Sequence, residues 1–222
     1  MDRSSRNRLN ERHLDLFPGT TLFDKIARTV CRAGCLPRKE LYESWEVARR
    51  VRRRFSGKRV LDLACGHGLL AQIMILLDDS IPEVVAVDST MPKSAARLAR
   101  TMQESWPRLE KRVRFIETDL IEIDTDQSDL LVSVHGCGIL SDRIIDMAMS
   151  ANAPVALLPC CHNLKNSETG NLEGWLEPTL AVDVVRAAKL RAVGYNVITQ
   201  LIPGDITDKN RLLIATPGKV QD

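Results

Sequence analysis

Asp62, Gly66 and Gly68 fall within seven residues of one another, where the apolar run of Val60-Leu61-Asp62-Leu63-Ala64-Cys65-Gly66-His67-Gly68 gives way to glycines. Glycines there let a ligand approach the backbone, and a helix starting after them offers free N–H groups to an anion. A carboxylate just before the glycines meets a cation instead. Two more acids recur at like places: Asp88 closes Val84-Val87, and Asp119 follows Val113-Ile116. An acid in such a position accepts hydrogen bonds from ribose hydroxyls. A second group carries different chemistry. His135 and Cys137 follow Leu130-Val134, and Cys160, Cys161 and His162 follow Val155-Leu158. Imidazole titrates near neutrality and serves as a general base, so His162 and His135 are candidates to take a proton, with Cys160 beside them. Thiols and imidazoles also bind zinc, but adjacent cysteines constrain the geometry and no Cys-x-x-Cys occurs, so no metal is expected. The plain alternative is thiols packing as small apolar groups. A third group is cationic: "RRVRRRFSGKR", from Arg49 to Arg59, holds seven cations in eleven residues. Phosphate backbones attract such a surface, which makes Arg49, Arg50, Arg52, Arg53 and Arg54 candidate RNA contacts. A solvated helix end, whose last-turn cations suit the helix dipole, explains them equally well.

Alternating strands and helices must hold these residues in place. Strands are expected at Val60-Leu63, Val84-Val87, Val113-Ile116, Leu130-Val134, Val155-Leu158, Asn196-Ile202 and Leu212-Ala215. Helices are expected at Leu69-Leu77, Lys93-Glu104, Ile139-Met149 and Leu180-Val193, with a polar loop from Asn163 to Pro178. That order predicts an α/β fold: a Rossmann-like, seven-stranded, mostly parallel sheet with helices on both faces. The short final connection, "PGDITDKN", requires an antiparallel C-terminal hairpin. In such a sheet ligands lie beyond the carboxyl ends of the strands. Before the sheet, two helices are expected, around Thr21-Cys31 and after Pro37, the second presenting Leu41, Trp45, Ala48, Val51 and Phe55 on one face. The division is then a basic N-terminal helical extension, residues 1–56, and a catalytic domain, residues 57–222. The first eighteen residues are polar and basic and are expected to be mobile, with Arg3, Arg6, Arg8 and Arg12 adding to the basic patch.

The chain has 222 residues, enough for one domain with a full core. Its 31 Lys and Arg offset 29 Asp and Glu, so any basic surface is local. No run of about 20 apolar residues predicts a membrane span, and the charged N-terminus is not that of a signal peptide. Six cysteines without a secreted-framework spacing fit free thiols in the cytoplasm. Cys31 and Cys35, four apart, are expected in the core.

Two ligands fit the glycine loop. Gly66-x-Gly68-x-x-Ala71 matches the dinucleotide fingerprint. Asp62 argues against a pyrophosphate, which it would repel, and for a ligand with an ammonium group. S-adenosylmethionine has one, with a carboxylate, a ribose and an adenine. The stretch Asp62 to Gly68 resembles motif I of class I methyltransferases, with Ala64 in place of the usual first glycine. The resemblance implies S-adenosyl-L-methionine as cofactor, held by Asp62, Ala64, Cys65, Gly66 and Gly68. It makes Asp88, with Ser89, the ribose site and Asp119, with Leu120, the adenine site, and puts His135 near the methyl group. "VSVHGCGILSDRIIDMAM", "ALLPCCHNLK" and "ITDKNRLLIA" together resemble a methyltransferase-domain family that includes the eukaryotic tRNA acceptor-stem 2′-O-methyltransferase. The zinc-finger extensions of that enzyme are absent, and so is the Asn-Pro-Pro-Tyr of amino methyltransferases, where "HGCG" stands. The expected activity is methyl transfer from S-adenosylmethionine to RNA, tRNA or rRNA. A small-molecule methyltransferase is the second reading, and a non-catalytic RNA-binding protein retaining the fold is the third. Aromatics available to stack on bases are few: Trp45, Trp106, Trp175 and Tyr195.

Overall fold

Seven apolar runs become strands: Val60–Leu63 (β1), Val84–Asp88 (β2), Val113–Glu117 (β3), Leu130–Ser133 (β4), Val155–Leu157 (β5), Tyr195–Leu201 (β6) and Arg211–Pro217 (β7). Six helices accompany them: Leu22–Ala33 (α1), Arg38–Arg52 (α2), Leu69–Leu77 (α3), Ala95–Ser105 (α4), Ile139–Ala151 (α5) and Pro178–Ala192 (α6). This computed structural model describes residues 2–159 and 161–218. The strands form one sheet in the order β3-β2-β1-β4-β5-β7-β6, parallel except for β7, which runs antiparallel to both neighbours. Each expected element is present, with ends moved by a few residues.

Period-two alternation sorts each strand between two cores. Val60, Val84, Ala86, Val132, Ala156 and Ile214 face α1, α2, α3 and α4. Leu61, Leu63, Val85, Val87, Leu131, Val155, Leu157 and Leu213 face α5 and α6. Between β3 and β4 the second face has no full helix, only a 3-10 turn at Leu120–Glu122, and Ile121 lies there largely exposed. The parallel register sets the acids side by side: Asp62 pairs with Ala86 and Val132, and Asp88 with Glu117. All three lie at or near the carboxyl ends of their strands.

The expectation of a mobile N-terminus is corrected. Leu9 is fully buried and Phe17 nearly so, in the core shared by α1, α2 and α3. Residues 11–16 form a 3-10 helix capped by Asn10. The segment also does a job for α2, whose start at Pro37 has no side-chain cap. The Arg38 N–H donates to the Asn7 carbonyl at 3.1 Å, and the Lys39 N–H to the Ser5 carbonyl at 3.0 Å. Two of the amides that a helix start leaves unsatisfied are thereby paired. Arg3 ion-pairs with Asp205 and lies over the Tyr42 ring, so it is not a free cation of the expected basic patch. The extension therefore shares its core with the sheet.

A docked segment predicts a measurable cost. Leu9→Ala should destabilise the protein by about 2–5 kcal/mol in chemical denaturation, the range for a buried leucine truncated to alanine. Leu16→Ala, at a position 40 % exposed, should cost far less. Equal, negligible effects would mean that the segment is not packed.

Candidate active site

β1 ends in a loop whose backbone only small residues accept readily. Ala64, Gly66 and Gly68 have φ of 55°, 54° and 67°. At Gly68 any Cβ would run into the Phe115 ring, whereas at Gly66 it would meet nothing within 4 Å. Gly68 is thus required for packing, and Gly66 leaves room above the loop. The Gly66 N–H donates to Asp88 Oδ2 at 2.8 Å, and the Thr90 N–H to Oδ1 at 3.2 Å. Asp88 therefore fixes the glycine loop from the neighbouring strand. Asp119 accepts from the Ile121 N–H at 3.1 Å and caps the 3-10 turn. Ser89 is exposed beside Asp88, and Leu120 is buried beside Asp119.

Asp62 is 1 % exposed and accepts one hydrogen bond, from the Ala71 N–H in the first turn of α3, at 3.1 Å. Burial, and secondarily the Asp88 charge, push its carboxyl up to about 7. Cys65 is packed close to Met91, and burial with the two neighbouring carboxylates pushes its thiol up, so it is an inert filler of the loop.

Asp62, Cys65 and His67 line a narrow cavity together with His135 from the loop after β4 and Glu40 and Ser44 from α2. Glu40 and His135 also line an open cleft with Arg6, Pro37, Lys39, Glu43, Cys161, Asp208 and Lys209. Burial, then the Lys39 charge, lowers His135 to about 4, so its imidazole is neutral at physiological pH. His67 Nε2 lies 2.9 Å from Ser94 Oγ, and burial lowers its pKa as well.

The two histidines that sequence placed together are separated by the sheet. Asp62 and His135 belong with α2 and α3 on one face. His162 turns its fully buried imidazole to the other, where Nε2 is 2.8 Å from Asp183 Oδ1 on α6. Asp183 also bonds Arg211 at 2.6 Å, and these bonds hold its carboxyl below the usual range against the effect of burial. His162 so placed is held against Asp183 on α6 and is not among the residues that line the cleft. Cys161 does reach the cleft, while Cys160 lies outside the described residues. Cys137 is half-buried. Among the described residues no three His, Cys, Asp or Glu side chains cluster closely enough to hold a metal ion. Cys31 and Cys35 are buried, as expected, although Cys35 lies beyond the Gly34 cap of α1. A second, more apolar cavity between α6 and the β6–β7 hairpin, lined by Asp183, Arg186 and Leu201, belongs to the face away from the glycine loop.

The arginines divide too. Arg49 and Arg50 both ion-pair with Glu46. Arg52, Arg53 and Arg54 are exposed without an acidic partner among the described residues. They sit where α2 approaches the start of β1, at the amino end of the sheet, about 18 Å along the helix from Glu40 at 1.5 Å per residue. Glu40 itself was not foreseen. Its only sequence signal, an acid three residues before Glu43, is the ordinary spacing of a solvated helix face.

The donor set fits one kind of ligand. A buried carboxylate suits an ammonium, acids at the end of β2 and after β3 suit a ribose and an adenine, and the free space over Gly66 lets a ligand lie close to the loop. Fold and site define a class I methyltransferase that uses S-adenosylmethionine. The chain belongs to the methyltransferase-domain family, which matches residues 39–168. No curated protein matches it by sequence. Among solved structures it resembles the bacterial Hen1 methyltransferase domain, with TM-score 0.55 and 18% identity over 81% of this chain and 99% of that one. It also resembles the B. subtilis M1A22 tRNA methyltransferase TrmK, with TM-score 0.52 and 16% identity, covering 78% of this chain and 65% of that one. Mitomycin 7-O-methyltransferase MmcR gives TM-score 0.53 and 17% identity, with 92% and 62% covered. The chain thus spans less than two thirds of the length of these last two. At such identities the likeness is one of fold.

The buried Asp62 gives a test with opposite signs. The folded carboxyl ionises near 7, against 3.8 when unperturbed. Between those pH values the unfolded chain gives up its proton first, so the site loses stability as pH rises and the full penalty stands above about 7. Asp62→Asn keeps an acceptor for the Ala71 N–H and removes the penalty. It should raise the stability of the ligand-free protein at pH 8 by on the order of 1–3 kcal/mol while weakening S-adenosylmethionine at least about tenfold. A lower melting temperature at pH 8, with cofactor affinity intact, would contradict both parts.

Proposed function

We propose that this enzyme methylates RNA in the cytoplasm. The observation that carries the reading is the exposed run Arg52-Arg53-Arg54, without an acidic partner among the described residues, at the end of the sheet opposite the cofactor loop. A small acceptor has no use for cations there. An RNA strand, with a phosphate every few ångströms of axis, spans the roughly 18 Å between them and the cleft in a handful of nucleotides. The sequence likeness to a family that includes a tRNA 2′-O-methyltransferase agrees with this.

When bound, S-adenosylmethionine supplies a methyl group activated by a sulfonium. The chain's own residues then have three tasks. Asp62, the amides of the glycine loop, Asp88 and Asp119 hold the cofactor. The cleft around His135, Cys161, Lys39 and Lys209 admits and orients the acceptor, and alignment is most of what an in-line displacement needs. His135, neutral at physiological pH, accepts a hydrogen bond or a proton from the acceptor. Burial in the face behind, with the Asp183 bond, makes His162 a brace for the Cys161 loop.

A small-molecule acceptor is the second reading, since the fold is shared with mitomycin 7-O-methyltransferase MmcR. Nucleoside mass spectrometry on RNA from cells with and without the gene separates the two. RNA as acceptor requires one methylated nucleoside to disappear and to return when purified enzyme acts on the deficient RNA. Neutralising Arg52, Arg53 and Arg54 together should weaken RNA binding regardless of sequence and flatten its salt dependence by up to about 3 units of slope. An unchanged slope and an unchanged nucleoside profile would shift the assignment to a small acceptor.

A further inference from the structure

Glu40 has no role in the motif that defines the cofactor loop, yet it stands against that loop. It occupies the first turn of α2, the turn whose amides are held by the carbonyls of Ser5 and Asn7. It lines the narrow cavity together with Asp62, His67 and His135, and it is one of two residues that also line the open cleft. Its Oε2 lies 4.0 Å from His67 Nδ1. Glu43, one turn on, is almost wholly buried, with Oε1 lacking a hydrogen-bond partner and Lys39 Nζ 3.4 Å away.

The charges around Glu40 come from several elements. On α2 there are Glu43 and Lys39, and from the N-terminal segment Arg8. His67 comes from the glycine loop, Asp62 from β1 and His135 from the loop after β4; Arg6, Asp208 and Lys209 rim the cleft. Burial first, and then the Glu43 charge, push Glu40 up to about 7. Asp62 is raised as well, and burial lowers the pKa of both nearby imidazoles. The narrow cavity thus sets two acids beside two histidines, with Lys39 and Arg8 as the cations near Glu40.

We propose that Glu40 is a second carboxylate, opposite Asp62, for the α-ammonium of S-adenosylmethionine. Motif I supplies one wall of the amino-acid pocket from β1, and α2 supplies the other. The assignment rests on the cofactor reading of the glycine loop and extends it to a residue outside the motif. It has a consequence for pH. A cation between the two acids favours their ionised forms, so cofactor binding expels protons and strengthens as pH rises through 7.

Three ligands test this without knowledge of the acceptor. S-Adenosylmethionine and S-adenosylhomocysteine both carry the α-ammonium, whereas 5′-methylthioadenosine lacks the whole amino-acid end. Calorimetry on the full chain at pH 6 and pH 8 should show Glu40→Gln weakening the first two alike, by about tenfold at pH 8, on the scale of one charged contact. Methylthioadenosine affinity should not change, and the rise in affinity between pH 6 and pH 8 should shrink in the variant. Glu40→Asp, which keeps the charge, should retain part of the affinity. Equal weakening of all three ligands would overturn the proposal, since it would signal damage to the fold. Weakening of S-adenosylmethionine alone would overturn it in favour of a contact with the sulfonium. Unchanged binding of all three would overturn it outright, and a loss of turnover on top of that would make Glu40 part of the acceptor site. Should none of the three bind the wild type, the cofactor reading itself would fall, a different result from any of these.

Discussion

One buried carboxylate organises the cofactor site. Asp62 accepts from the first turn of α3, and that single bond ties the end of β1 to the start of the next helix across the glycine loop. The loop cannot move without breaking it. Asp88 fastens the same loop from the adjacent strand through the Gly66 amide. Both bonds join groups of the protein alone, so the shape of the cradle is held by the chain itself. The cost falls on Asp62, an acid kept from water with one hydrogen bond, a common bargain at a site whose purpose is to receive a cation.

The sheet then decides which residues can cooperate. Asp62, Glu40 and His135 line one cavity beside α2 and α3, whereas His162 and Arg186 both pair with Asp183 on α6. Chemistry gathers on the first face because α2 and the N-terminal segment cover it closely. The second face holds an ion-pair network that fixes α6 to α5 through Arg186 and Asp142. A histidine in that network stabilises a loop that another residue, Cys161, uses to reach the cleft.

Much of this is legible in the chain alone, for identifiable reasons. Buried strands and amphipathic helices write their periods plainly, so Leu69–Leu77 and Val60–Leu63 can be read with correct ends. Asp62, Asp88 and Asp119, at or just past the carboxyl ends of β1, β2 and β3, are legible because the position of a residue at a strand end does not depend on packing. His162 is different. A loop residue's facing depends on which way the chain turns after Leu157, and Asp183, twenty-one residues on, settles it. Leu9 stands alone in a polar stretch, and Phe17 closes the short run Leu14-Asp15-Leu16-Phe17, too brief for a period to betray burial. Glu40 sits at the spacing of a solvated acid, and the covering segment leaves it only partly exposed. The position of the arginines was open to inference: a helix that begins at the cofactor loop must end on the far side.

The order of strands also bears on how the chain is made. β7 is the last strand in sequence, but it lies inside the sheet, between β5 and β6. During synthesis one side of β5 remains an open edge until β7 has emerged, and β6 has no neighbour to join before then. A nascent chain in that state displays an open row of backbone donors and acceptors beside an apolar surface, the kind of edge that recruits other chains. The residues from Arg211 to Pro217 therefore act as the closing piece of the sheet.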